Sequence, residues 1–320
     1  MKVVIAGGSG FLGRPLTASL LHDHHDVVVL TRGCEVRPKP DTTGTTATSL
    51  NAPIAAGARS VPWDPNGESG PWAAVIDGAH VVVNLAGESI AGKRWTDAQK
   101  QRILDSRVRA TRSLAAAIGG AASPPSVFVS GSAVGYYGPL GDEPAREETP
   151  AGHDFLARVC ERWEEEATRA ASDRTRVACL RTGIVLEKDG GALPKMLPPF
   201  RFGAGGPIGS GRQYWPWIHR DDWIALVRWV IETPAASGAV NATGPRPVTN
   251  AEFARALGRA MHRPAFMPTP GFALKLLLGE MAGALLLSGQ NALPAKATRE
   301  GFAFRYARVD DALGAIFARA

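Results

Sequence analysis

The sequence predicts an α/β protein: a doubly wound parallel sheet of the Rossmann type with a smaller C-terminal substrate lobe. Three observations carry that expectation. The chain opens on a β-branched run, Lys2 to Ala6, with the composition of a buried parallel strand. Glycines follow at a G-x-x-G-x-x-G spacing, Gly7, Gly10 and Gly13, and Leu12, Leu16, Leu20 and Leu21 then recur at helical intervals. Further strand-like and helix-like stretches alternate to about residue 180, the order that builds a parallel sheet covered on both faces.

The glycine stretch, with Ser9, Phe11 and Leu12 between its glycines, organises the rest. Glycine at these places lets the chain turn tightly, lets the backbone approach a pyrophosphate and lets the helix pack close to the strand. The helix N-terminus then offers N–H groups and a positive dipole end to phosphates. A glycine triplet alone is weak, and a ligand-free turn is the competing reading. Lodged between a strand and a helix, it points to a dinucleotide site. The second strand, Asp26 to Leu30, arrives on schedule and ends in Thr31 and Arg32. An NAD site places an acid here, about 20 residues after the glycines, to accept the ribose hydroxyls. A guanidinium instead grips a 2′-phosphate as a fork. NADP(H) is therefore the expected cofactor, against the alternative of a solvated arginine at a strand end.

Residues 33 to 58, rich in Thr, Ala, Pro and Gly, read as a mobile surface insertion. Arg59 to Trp63 is a third strand with Asp64 at its end, and Val81 to Leu85 a fourth, running into Ala86, Gly87 and Glu88. Thr96 caps a helix through Ile118 whose apolar face is Ile103, Leu104, Val108, Thr111 and Leu114. Val127 to Ser130 is a fifth strand, opening into Ser132, Tyr136 and Tyr137. A helix over Asp154 to Ala171 sets Phe155, Val159, Trp163 and Ala167 on one face, and Val177 to Leu180 is a sixth strand. From about Gly183 proline and glycine grow dense, and Trp215, Trp217 and Trp223 gather around His219. This is the expected substrate lobe, interleaved with the end of the sheet. Val240-Asn241 is a further strand, and Thr249 to Glu252 caps a helix to about Met261. The organisation expected is a nucleotide-binding domain over 1–246, with lobe segments from about 183, and a C-terminal module over 247–320.

Composition narrows the function. The hydrophobic share of 45% and charged share of 21% are those of a globular chain large enough for a substantial core. The net charge of +6 comes from arginines scattered among acids, not from a basic stripe, so a nucleic-acid partner is not expected. Cys34, Cys160 and Cys179 show neither paired nor metal-type spacing, which fits free thiols in a reducing compartment and no metal. A strand starting at residue 2 leaves no room for a signal peptide, so a cytoplasmic protein is expected. The most apolar segment, Phe272 to Leu287, is too short to span a membrane and carries Lys275 and Glu280. It reads as a buried or partner-facing helix. A homo-oligomer is left open.

Taken together, these pieces resemble the extended short-chain dehydrogenase/reductase superfamily over nearly the whole chain. The matching segments are the glycine motif, Asn84-Leu-Ala-Gly87, Ser132 to Tyr-Gly138, and Gly209-Ser-Gly211 to Trp217-Ile-His219-Arg-Asp221-Asp222. Asn-Leu-Ala-Gly87-Glu88, Arg94-Trp95, Ser106-Arg107, Ser-Ala-Val-Gly-Tyr-Tyr-Gly138, Arg181-Thr-Gly-Ile-Val-Leu186 and Gly301-Phe-Ala-Phe304 look like an atypical subfamily, called epimerase-like or cell-division-inhibitor-like, with a C-terminal module of unknown function. The resemblance implies that Gly7 to Gly13 hold the pyrophosphate and Thr31 and Arg32 the adenosine phosphate. It implies Asp64 near the adenine, Leu85, Ala86 and Gly87 along the ribose, and Ser132 facing the nicotinamide.

The chain departs from the superfamily at its chemistry. A Tyr-x-x-x-Lys pair normally moves the proton as hydride moves. Here the tyrosines are Tyr136, Tyr137, Tyr214 and Tyr306, none with a lysine four residues on; Leu156 and Cys160 stand at the pair's two positions, and Arg107 stands where an asparagine is usual. Ser132 with Tyr136 or Tyr137 is the expected substitute, polarising a carbonyl, with Arg107 as a cationic neighbour; two tyrosines merely packing the pocket wall is the alternative. Trp215 replaces the arginine that clamps a sugar diphosphate, which favours a more apolar substrate, with a clamp restored by Arg201, Arg212 or Arg220 as the alternative. Glu88, Arg94, Arg107, Trp215, Trp217 and His219 form the expected substrate set, although a structural role suits His219 slightly better. The reaction expected is NADP(H)-dependent oxidation or reduction of a small alcohol or carbonyl. The alternatives are a sugar or sugar-nucleotide epimerase with retained NADP(H), or a non-catalytic NADP(H) sensor.

Overall fold

The β-branched runs of the sequence line up as one parallel sheet. A computed structural model of the chain describes residues 1–32, 55–66 and 70–318, so the expected insertion over 33–58 lies, for residues 33–54, outside the described residues, as does Cys34. The first five strands are β1 (Lys2–Ala6), β2 (Asp26–Thr31), β3 (Arg59–Pro62), β4 (Val81–Asn84) and β5 (Val127–Ala133). Strands Arg176–Thr182 and Gly238–Ala242 complete a seven-stranded sheet. Across the sheet the order is Gly238–Ala242, Arg176–Thr182, β5, β4, β1, β2, β3. Every pairing is parallel, with Val3 set between Val27 of β2 and Val81 of β4. The winding reverses between β1 and β4, and ligands bind such sheets in the crevice beyond the strand ends at that switch.

Helices α1 (Gly13–His22), α2 (Asp97–Gly119), α3 (Phe155–Thr168), α4 (Leu193–Arg201), α5 (Arg220–Glu232), α6 (Asn250–Met261) and α7 (Gly271–Leu278) cover the sheet and build the lobe. Alternate side chains of β1 serve different layers. Val3 and Ile5 pack with Leu16 and Leu20 of α1 and Leu226 and Val230 of α5. Val4 and Ala6 pack with Ala110, Leu114 and Ile118 of α2. Burial on both faces is why the strands read as unbroken β-branched runs. Thr96 caps α2 by accepting from the Gln99 N–H, and Thr249 with Glu252 forms a full capping box on α6.

The lobe has its own core, in which Leu193, Leu197 and Phe200 of α4 meet Trp215, Trp217, Phe253 and Leu257, together with Leu313 and Ile316 of the C-terminal helix Val309–Ala318. Residues before and after 246 thus share one interior. The apolar Phe272–Leu287 segment is not a buried helix. It is α7, a break at Gly279 with φ of 65°, and a short continuation; Phe272, Leu276 and Leu277 are 76%, 81% and 69% exposed because no described residue covers their face. Among the described residues no helix is long and apolar enough to cross a membrane.

Candidate functional site

Backbone shapes the first part of the site. Gly7 adopts φ of +81°, and a Cβ there would lie 2.8 Å from the Leu85 carbonyl at the end of β4. A Cβ on Gly13 would lie 2.2 Å from the Gly7 oxygen. The Gly10 N–H closes the turn on that same oxygen at 3.0 Å. Helix α1 then starts with no side-chain cap and no acid in its first turn, which leaves its positive end to a ligand. These features fit a dinucleotide pyrophosphate. Phe11 is clasped by the lobe: a Cβ on Gly190 or Gly191 would come within 2.4 or 2.8 Å of its ring. The Arg220 guanidinium lies 5.6 Å from that ring and is itself tied to Glu187 and Asp189.

At neighbouring strand ends, the Thr31 hydroxyl lies 3.3 Å from that of Ser60, Arg32 is exposed, and exposed Asp64 accepts from the Asn66 N–H. Buried Asn84 shapes the segment after β4, donating to Thr111 Oγ1 at 2.8 Å and accepting the Ala86 N–H at 3.1 Å. Leu85 donates to the Ala6 carbonyl, and the Glu88 N–H donates to Ser106 of α2. Gly87 lies against the Arg107 guanidinium. Gly7 to Gly13, Leu85 to Gly87, Glu88 and Arg107 are therefore brought together at the switch point.

Side chains shape the second part, around the end of β5. Ser132 Oγ donates to Glu164 Oε1 of α3 at 2.6 Å. Arg181, on the buried strand Arg176–Thr182, grips the same carboxylate with Nε and a terminal nitrogen, both at 2.9 Å. Its other terminal nitrogen donates to the Tyr137 hydroxyl at 3.1 Å and to the Glu147 carbonyl. Burial opposes the Arg181 charge, but the paired Glu164 outweighs it and raises the guanidinium above its ordinary range. The Tyr136 ring lies 3.4 Å beneath the same guanidinium.

Tyr137 occupies a different environment from the one expected of a proton donor. It is fully buried, donates to Asn241 Oδ1 at 2.6 Å, and is pushed up to about 12 chiefly by burial. Both hydrogen-bonding sides of its hydroxyl are committed to the interior, so it stands behind the site. Cys160, at the place of the usual lysine, is a buried thiol 3.6 Å from the Ala133 carbonyl, raised to about 12 by burial, and supplies no cation.

The expected aromatic substrate contacts also lie in the interior. Trp215 packs on Phe253. Trp217 is fully buried and donates to the Arg246 carbonyl. His219, also fully buried, stacks on Tyr306 and accepts the Asp221 N–H, capping α5. All three are core residues of the lobe because the adjoining strands run through it. Arg94 is exposed and sits beside Gly279 at the end of α7. The sequence reading missed Glu164, Arg181, Glu147 and Asn241. Arg181 had a signal, a charge closing an otherwise apolar strand run.

Comparison with known proteins decides the family. A family model described as the NAD dependent epimerase/dehydratase family matches residues 3–242. The chain belongs to that family. A second model, a domain of unknown function (DUF1731), matches residues 269–316. The chain is 41% identical to the chloroplastic epimerase family protein SDR39U1 homolog of Arabidopsis thaliana, over 99% of this chain and 86% of the relative. It is 40% identical to the epimerase family protein Mb2239 of Mycobacterium bovis, over 98% and 96%. The crystal structure of human epimerase family protein SDR39U1 with NADPH superposes with a TM-score of 0.86 at 34% identity, covering 100% of both chains.

Proposed function

We propose that this family member is an NADP(H)-dependent oxidoreductase acting on a small carbonyl or alcohol substrate, with a cytoplasmic location. The observation that carries the reading is the Ser132–Glu164–Arg181 chain beside a glycine cradle shaped for a dinucleotide. Support for the phosphorylated cofactor comes from Arg32 in place of an acid and from the human relative solved with NADPH. NADP(H), when bound, gives or takes the hydride. Gly7, Ser9, Gly10, Phe11, Leu12 and Gly13 form its pyrophosphate loop, Thr31 and Arg32 hold the 2′-phosphate, Asp64 borders the adenine, and Leu85, Ala86 and Gly87 line the ribose.

In place of the usual tyrosine and lysine, Ser132 handles the proton. Its Oγ takes a proton from a substrate hydroxyl as its own passes to Glu164, and the reverse transfer protonates a carbonyl oxygen. Arg181 holds the carboxylate in place, Tyr136 forms a wall, and Tyr137 positions Arg181. The C-terminal module, through α7, borders the substrate side near Arg94. A sugar epimerase that retains its cofactor is the second reading, favoured by the family's description.

Fluorescence titration with NADPH and NADH tests the cofactor. Strong NADPH preference in the wild type, with affinity falling about 10- to 100-fold in Arg32→Ala, is expected from loss of a charge-assisted phosphate contact. Equal or absent binding overturns the reading. Net NADPH consumption across a carbonyl panel, lost in Ser132→Ala, separates the oxidoreductase from the epimerase.

A further inference from the structure

Most half-buried or buried guanidiniums among the described residues are well matched: Arg181 pairs with Glu164 at 2.9 Å, Arg220 with Glu187 at 3.2 Å, and Arg176 spends both terminal nitrogens on the Val230, Ile231 and Ala236 carbonyls. Arg107, at the heart of the site, is matched less fully. It projects from α2 onto Gly87, where a Cβ would lie 3.2 Å from its Cζ. On another side it lies 5.1 Å from the Trp163 ring, and Trp163 backs Gly131, the residue before Ser132. The guanidinium therefore lies between the segment after β4 and the end of β5. Its hydrogen bond runs from one terminal nitrogen to the Ile103 carbonyl at 3.0 Å. No carboxylate among the described residues lies within ion-pair distance of it; Cys160 and Glu88 raise its pKa only against a larger lowering by burial.

We infer that Arg107 is the counter-cation for an anionic oxygen group, a carboxylate or phosphate, bound beside Gly87 and within the reach of Ser132. A guanidinium offers five N–H donors in a fixed fork, and most of this one's remain for a ligand. Removing a charge from water without pairing it is unfavourable, and an apolar side chain of similar size is often more stable at such a place. Burial accordingly lowers the Arg107 pKa. A neutral carbonyl needs only a hydroxyl donor such as Ser132; a half-buried guanidinium with donors to spare is matched by an anion. The inference rests on the oxidoreductase reading for what the pocket does, but the unmatched charge stands without it. The anion has two sources: an acidic group on the substrate, or a phosphate of the cofactor itself.

The test uses the full chain as wild type, Arg107→Met and Arg107→Lys. Melting is followed without ligand, with succinate, with inorganic phosphate, and with succinamide as the neutral control. The expected result is a ligand-free Tm for Arg107→Met at or above that of the wild type. Succinate or phosphate should stabilise wild type and Arg107→Lys more than Arg107→Met, with succinamide inert. An NADPH titration on the same three proteins assigns the source. A fall of about tenfold or more in Arg107→Met, partly restored by Arg107→Lys, names the cofactor phosphate. Unchanged NADPH affinity with a lost succinate or phosphate response names the substrate. If all three proteins respond alike to every probe, or if both variants are destabilised equally with no loss of anion response, the guanidinium is structural and the inference fails. Absence of NADPH binding in the wild type defeats the oxidoreductase reading instead, and leaves the anion series to judge Arg107.

Discussion

The glycine loop after β1 is made of backbone, whereas the surroundings of Ser132 are made of side chains drawn from distant segments. In the loop, each requirement is local: Gly7 needs a positive φ, and Gly13 leaves no room beside the Gly7 oxygen. Around Ser132, a strand, a helix and a further strand each contribute one group, and Arg181 joins them. A local site shows itself in a short run of sequence. A network closed by tertiary contacts does not, because each member is an ordinary residue until its partners are known.

Breaking the network should have the largest effect. Arg181→Met leaves Glu164 and the Tyr137 hydroxyl without their partner in a buried setting, an expected loss of about 3–5 kcal/mol by urea unfolding. Adding Glu164→Gln should recover part of it, because neighbours that share one interaction are not additive. A double variant no more stable than Arg181→Met would show that the pair is not the unit. The loop is expected to lose less stability and more binding. Gly13→Ala forces a methyl group against the Gly7 oxygen, at a cost of about 2 kcal/mol, and should abolish NADPH binding in a titration. Retained affinity would mean that the loop relaxes.

The effect smallest at neutral pH is confined to alkaline solution. Folded Tyr137 keeps its proton to about pH 12, whereas an ordinary phenol releases it near 10.0. Between those values the folded state binds the extra proton, so stability present below pH 10 falls as pH rises, by up to about 1.4 kcal/mol per unit. Tyr137→Phe should flatten that slope while lowering stability at neutral pH, where Asn241 loses its donor and Arg181 an acceptor. An unchanged alkaline slope would show that the phenol is not the titrating group.

Much of the fold was legible because its signals are periodic and local. β1 and the capping boxes or caps of α2 and α6 follow from neighbouring residues, and the alternation of elements gives the parallel sheet. The lobe was less legible. The short strand Trp217–His219 runs beside Ile184–Leu186, a pairing between segments about thirty residues apart that no nearby pattern announces. Its tryptophans and His219 looked like a binding surface because aromatic clusters serve both interiors and ligands. Tyr137 was misleading for a similar reason: adjacent tyrosines differ only in which one the turn directs inward, and that direction is set by Arg181 and Asn241. Arg107 was visible as a departure from a familiar pattern, but its lack of a carboxylate partner required every neighbouring acid to be located.

Hydrogen bonds tie residues 291 to 306 to the last strand of the main sheet and to elements beside it. Asn291-Ala292 pairs with Pro144-Ala145, the Asn241 amide donates to the Leu293 carbonyl, and the Lys296 N–H meets Glu147. Asp222 of α5 accepts the N–H groups of both Arg305 and Tyr306. Asn241 is also the acceptor for Tyr137, so the tail is wired to the same residues that hold Ser132. Two family models divide this chain, yet neither half would keep its interior after a cut near residue 246. The tail thus closes surfaces that the sheet and the lobe present, and a chain ending near residue 246 would leave Asn241, Glu147 and Asp222 without those partners.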